Sequence, residues 1–212
     1  DGAARSLGEA NIITRAQLQI FLGLIALLPW QSACALDDFD KKLERAMHLI
    51  DSGKPQAAKP LLRQLIRKNP RSADAHMQLG AALASLVERD QYDEAIAEEI
   101  KAIQLDPKSF GARRILGMIY SNQRKYDEAI ALLRESSELN PSSFAVHRDL
   151  GSAYLAADKI DDAIAALKTA SDLNPANVAV HLRLASIFSK QEKHAEAIIE
   201  SARAVAIDES KA

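Results

Sequence analysis

The chain has 212 residues, with 27 Lys and Arg against 29 Asp and Glu and a formal charge of -2. Its bases are scattered among acids, which removes the clustered basic surface that phosphate-backbone binding needs, so no nucleic acid partner is expected. Hydrophobic residues make up 48% but aromatics only 5%, and no stretch alternates as a half-buried strand would, so the expected class is all-α.

In chain order, the first segment stands apart from the rest. Arg15 precedes an apolar run from Leu18 to Leu28, then come Pro29 and Trp30, and Ala33-Cys34-Ala35 stands just before an acidic, polar stretch. A basic flank, a short hydrophobic run and small residues in A-x-A spacing form the pattern of a secretory leader, here residues 1–35, cleaved after Ala35. Two alternatives stay open: a buried helix that caps the rest of the chain, and an uncleaved membrane anchor extending to Ala35, since about 20 apolar residues span a bilayer. Gln31-Ser32-Ala33-Cys34 resembles the bacterial lipobox at its last three positions, with Gln31 where an apolar residue is usual; this makes Cys34 a candidate for lipidation. No Met precedes Met47, so Asp1 to Ala10 are not expected to be the natural start. The expected location is periplasmic or secreted, with attachment through the leader as the alternative. Contact with a membrane is expected only through the leader or a lipid on Cys34.

Beyond the leader the chain is periodic. Pro70, Pro107, Pro141 and Pro175 each follow Asn or Asp, and the last three stand 34 residues apart. Other columns fall into step with them: Leu116, Gly117, Tyr120, Ala129, Leu133 and Pro141 in one unit, and Leu150, Gly151, Tyr154, Ala163, Leu167 and Pro175 in the next. Leu79, Gly80, Leu83, Ala95 and Pro107 give a weaker unit upstream, with three extra residues around Glu88 to Asp90. Ala46, Ala58, Leu62 and Pro70 begin the series, and Leu184, Ala185, Phe188, Ala197 and Ala204 continue it.

The columns have physical reasons. Gly or Ala at the Gly117 position and Ala at the Ala129 position let two antiparallel helices approach closely, and bulk there would overpack at about 1 to 3 kcal/mol. Residues before Pro are pushed out of the α region, so each helix must stop at its Asn-Pro or Asp-Pro turn. A second break falls inside each unit, at Asn122 to Lys125 and at Ala157 to Lys159, before first turns rich in acids that suit the positive end of a helix dipole. Pro60 is expected near the start of its helix, where an amide would lack a partner anyway.

This pattern resembles the tetratricopeptide repeat, lacking its Trp and with Leu in place of Phe. The resemblance implies a right-handed α-solenoid of five stacked helix hairpins spanning 36–212, with units at about 39–72, 73–109, 110–143, 144–177 and 178–211. In such arrays the first helices of the units line a groove that holds another polypeptide. The residues at those positions are Leu43, Met47, Met77, Ala81, Arg114, Met118, Arg148, Ser152, Leu182 and Ser186. Met offers adaptable apolar contact and Arg offers forks for carboxylates, so an apolar segment with acidic character is the expected ligand. The alternative is that Arg114 and Arg148 are solvated or pair with acids such as Asp149. Chaperone-binding members carry a Lys, Asn and Arg carboxylate clamp; here Leu43, Met47, Gln78, Gly111 and Ile115 hold those places, so a chaperone tail is not an expected partner.

The search for chemistry finds no phosphate loop, paired cysteines or catalytic triad, so no enzyme activity, cofactor or metal is expected. His76, His147 and His181 recur at one place in their units; helices 8–10 Å apart cannot bring such positions to one zinc ion, so they are expected to be partly buried packing residues. Ile198, Ile199, Val205 and Ile207 lie on the last helix, some of them exposed, as an apolar edge suited to docking or self-association. The function expected is a protein-binding adaptor, exported or attached to the envelope. The alternative is the regulatory or substrate-docking portion of a larger enzyme.

Overall fold

The structure, a computed structural model, describes residues 38–86 and 92–209. The leader and Cys34 lie outside the described residues. The chain forms two compact units, Asp1–Arg45 and Ala46–Ala212. Helical backbone runs over residues 38–51 (α1), of which 38–45 belong to the first unit. In the second unit follow α2 (Pro55–Lys68), α3 (Ala73–Ala84), α4 (Asp93–Leu105), α5 (Phe110–Asn122), α6 (Tyr126–Leu139), α7 (Phe144–Ala156), α8 (Ile160–Leu173), α9 (Val178–Lys190) and α10 (His194–Glu209). The described residues contain no strand. The fold is an all-α solenoid. Its hairpins pair α3 with α4, α5 with α6, α7 with α8 and α9 with α10, and each second helix packs on the first helix of the next hairpin. First helices also meet one another, α3 with α5 and α5 with α7.

Local sequence sets each boundary. Ser72, Ser109, Ser143 and Asn177, two residues past each Pro, accept a hydrogen bond from the backbone N–H of Ala75, Ala112, Val146 and Val180, so every first helix from α3 onward starts on a side-chain cap. The second helices α4, α6 and α8 have no such cap and open on acids instead, Asp93 and Glu94, Asp127 and Glu128, Asp161 and Asp162. The turn inside a hairpin passes through the left-handed region at Gly53 (φ 69°), Arg124 (62°), Asp158 (59°) and Glu192 (59°). Only the first of these is Gly, the residue for which that region costs nothing.

Pro60 is placed differently from the sequence expectation. Pro55 occupies the start of α2, so Pro60 falls in the second turn, where it deprives the Gln56 carbonyl of a helical donor. Both residues are exposed, and water can replace the missing bond.

The close contact at the Gly column is direct. A Cβ added to Gly117 would lie 2.8 Å from Leu133 Cγ and 3.2 Å from the Ala129 carbonyl; at Gly151 it would lie 2.7 Å from Leu167 Cγ. Ala129, Leu133, Ala163 and Leu167 are completely buried. Small residues on one helix thus make room for a large one on its partner.

One hairpin departs from this scheme. Glu99 stands four residues after Ala95, where three of the other units have Leu62, Leu133 and Leu167, and it is equally buried, at 0% exposure. Its carboxyl fills the space a Cβ at Gly80 would take. Neither carboxyl oxygen has a hydrogen-bond partner. Burial pushes its pKa up to about 9; the Arg114 charge opposes that rise and the Glu98 charge adds to it.

Candidate functional site

The first helices α5, α7 and α9 bring several of the expected groove residues together through hydrogen bonds. Arg114 on α5 donates from Nη1 to Asp149 Oδ2 on α7 at 2.8 Å, and also to the sulfur of Met118 at 3.3 Å. Arg148 donates from Nε and Nη2 to Asp149 Oδ1 at 2.9 and 2.7 Å, while its guanidinium lies 5.8 Å from the centre of the Phe144 ring. The two arginines are therefore not open forks: they share one carboxylate, which is buried to 8% exposure. Asp149 holds both guanidiniums in fixed positions, and the trio keeps one net positive charge.

The cationic strip continues past Arg148. Arg183 on α9 donates from Nη1 to Ser152 Oγ, and that hydroxyl in turn donates to the Arg148 carbonyl at 2.9 Å. Arg183 is exposed and meets no carboxylate among the described residues. Sequence reasoning passed over it because it stands one place beyond the column that Arg114 and Arg148 define, where the same column holds Leu182. A guanidinium carries five donors, so each of these arginines retains donors for a further acceptor.

The remaining groove candidates separate. Met118 is exposed beside Arg114. Met77 is half-buried and lies over the start of α5, its sulfur 2.7 Å from where a Cβ on Gly111 would stand and 3.8 Å from the Ser109 hydroxyl that donates to it. It packs between first helices instead of opening to solvent. Ala81 is half-buried on α3, and Met47 on α1 is exposed. Leu43 is half-buried and belongs to the first compact unit. Leu182 and Ser186 line a hollow of about 840 Å³ between α9 and α10, together with Ile198 and Val205.

The histidines are buried or half-buried, as expected, and carry hydrogen bonds as well. His76, His147 and His181 each place Nε2 on the carbonyl of the Pro six residues earlier, Pro70, Pro141 and Pro175, at 3.1, 2.9 and 3.0 Å. A carbonyl only accepts, so the ring donates there and ties the inter-hairpin turn to its helix. Two of the three reach further: His76 Nδ1 lies 2.5 Å from Glu98 Oε2, and His181 Nδ1 lies 2.7 Å from Glu200 Oε2. His147 has Ala166 in the equivalent place. No group of metal-ligating side chains occurs among the described residues, and no described helix is long and apolar enough to cross a membrane.

Stacked helix hairpins whose first helices α5, α7 and α9 are joined through side-chain hydrogen bonds define a repeat scaffold for protein–protein interaction. A tetratricopeptide repeat family model matches residues 43–109 and 148–212, and a second matches 86–150 and 123–171. The chain belongs to the tetratricopeptide repeat family. Among solved structures it is similar to pilF of Pseudomonas aeruginosa, with a TM-score of 0.72 at 24% identity over 80% of this chain and 76% of that one. It is also similar to MamA from Desulfovibrio magneticus RS-1, with a TM-score of 0.67 at 22% identity over 82% and 97%. A thermophilic repeat protein of Thermus thermophilus gives 0.67 at 20% identity over 79% and 90%. At these identities the likeness is one of fold. A comparison with curated protein sequences returns no match.

Proposed function

We propose that this chain is an adaptor that holds a segment of a partner protein along α5, α7 and α9, reading an acidic residue of that segment through Arg183 and the outer donors of Arg148. The observation that carries this is the imbalance of charge: three guanidiniums stand on neighbouring first helices, and among the described residues Asp149 is the one carboxylate ion-paired with any of them. A partner carboxylate would complete the set, with Met118 and Leu182 as apolar contacts on either side. The partner class is thus an apolar segment with at least one Asp or Glu. We further propose that the protein acts outside the cytoplasm, which rests on the pattern of residues 1–35; N-terminal sequencing of the exported product tests it.

Panning a displayed peptide library against the full chain tests the binding reading. Selected peptides should combine apolar residues with Asp or Glu, and Arg183→Ala should weaken them about tenfold, an effect that shrinks as salt rises. Selected peptides without acids, or undiminished binding to both Arg183→Ala and Arg148→Ala, would refute the reading.

A further inference from the structure

The hollow between α9 and α10 repeats a seat that the rest of the array fills. Ile130 on α6 and Ile164 on α8 stand 34 residues apart and are buried to 6% and 8% exposure beneath the following hairpin. Ile198 is the next residue in that series, and it is 68% exposed. Val205 lies two turns further along α10 and is 55% exposed. Among the described residues no helix covers this face. Ile199, by contrast, follows Ala131 and Ala165, which are exposed in their own hairpins, so its side of the helix faces solvent throughout the array.

We infer that α10 pairs antiparallel with α10 of a second copy of this chain, about a two-fold axis passing between Ser201 and Ala202. Three observations set this occupant and this register. The six residues that α10 gives to the hollow, His194, Ala197, Ile198, Ser201, Ala202 and Val205, include no carboxylate, lysine or arginine, so two copies meet without like-charge repulsion. In an antiparallel pair centred at this point Ile198 faces Val205 of the other copy, and Val205 faces its Ile198. The small Ser201 and Ala202 meet at the crossing, where they permit close approach of the two axes. Ser201 occupies the column that Leu133 and Leu167 fill in α6 and α8, so the crossing point is small only in this last hairpin.

Charge complementarity is the third observation. The same register brings exposed Lys193 and His194, at the start of α10, to the end of the partner's α10, which carries exposed Asp208 and Glu209. Both axis dipoles favour that arrangement, because each helix start meets a helix end. Head-to-tail stacking through α1 is disfavoured on the same grounds. Where α9 presents Val180, Leu184 and Ile187 to α8, the matching places of α1 hold Lys41, Arg45 and His48, all exposed. An isologous contact closes at two copies, whereas a head-to-tail contact would press those bases onto an apolar seat.

Cysteine cross-linking in the full chain tests the register. In a Cys34→Ala background, Ile198→Cys with Val205→Cys places two thiols about 10.5 Å apart on one helix, too far to bridge within a chain. Mild oxidation should link them between copies into a covalent dimer. Ile199→Cys with Ala206→Cys has the same spacing on the solvent side and should stay monomeric. Sedimentation of the unmodified chain from micromolar to near-millimolar concentration should show a dimer, and Ile198→Asp with Val205→Asp should weaken it about tenfold or more without loss of helical circular dichroism. A chain that stays monomeric throughout that range, a dimer that survives the double Asp substitution, or linking of the Ile199 and Ala206 pair would overturn the inference.

Discussion

Replacing Glu99 by Leu should stabilise the protein, and the gain should grow with pH. Below about pH 4.5 the carboxyl is protonated in both the folded and the unfolded chain, so its titration contributes nothing there. Between that value and about 9 the folded chain keeps the proton while the unfolded chain has released it, so the unfolded state is favoured by about 1.4 kcal/mol for each pH unit. At pH 7 the accumulated cost is about 3 kcal/mol, and above about pH 9 it levels off. Leu removes this cost along with two unpartnered buried oxygens, and it recreates against Gly80 the contact that Leu133 makes with Gly117 and Leu167 makes with Gly151. Urea unfolding followed by circular dichroism from about pH 5 to about pH 8 gives the stability of both proteins, and their difference cancels every other titrating group. That difference should widen by about 3 kcal/mol or more across the range. Glu99→Gln, which keeps the shape and loses the titration, should show the same widening. A difference constant to within about 1 kcal/mol across pH would refute the reasoning.

The remaining expectations follow from the packing and the turns. Gly151→Ala should lower stability by about 1 to 3 kcal/mol, since the new Cβ lands 2.7 Å from Leu167 Cγ; thermal unfolding measures it, and an unchanged midpoint would mean that the two helices have room to part. His181→Phe should cost about 1 to 3 kcal/mol by stranding Glu200 Oε2 and the Pro175 carbonyl, with Arg203 still held on Glu200 Oε1, and His147→Phe should cost less because among the described residues its ring bonds to the Pro141 carbonyl and to no carboxylate; equal costs would assign the histidines to packing alone. Asp158→Gly should stabilise by up to about 1 kcal/mol by relieving a left-handed non-Gly residue, with a loss of stability in denaturant titration as the contrary result.

The amino-acid sequence by itself determined the repeat. Pro turns, small residues in step and acidic first turns act locally, and a period of 34 residues forces the same local solution each time, so hairpin order and the first helices that carry the strip were legible in advance. Glu99 was legible in principle, as the one charged residue four places after a column Ala in the first four hairpins. Reading it as unpartnered needed the structure, because only the packed neighbours show that nothing reaches its oxygens. The same holds for Asp149 between two arginines, for Arg183 on Ser152, and for the histidines that clamp their turns. Those contacts depend on which side chains from different helices end up opposite one another, and column position alone does not fix that. His147 shares its column with His76 and His181 and still lacks their glutamate, because the facing helix offers Ala166. Periodicity fixes the backbone of such a chain, while the partner of each polar side chain is decided by the helix that packs against it.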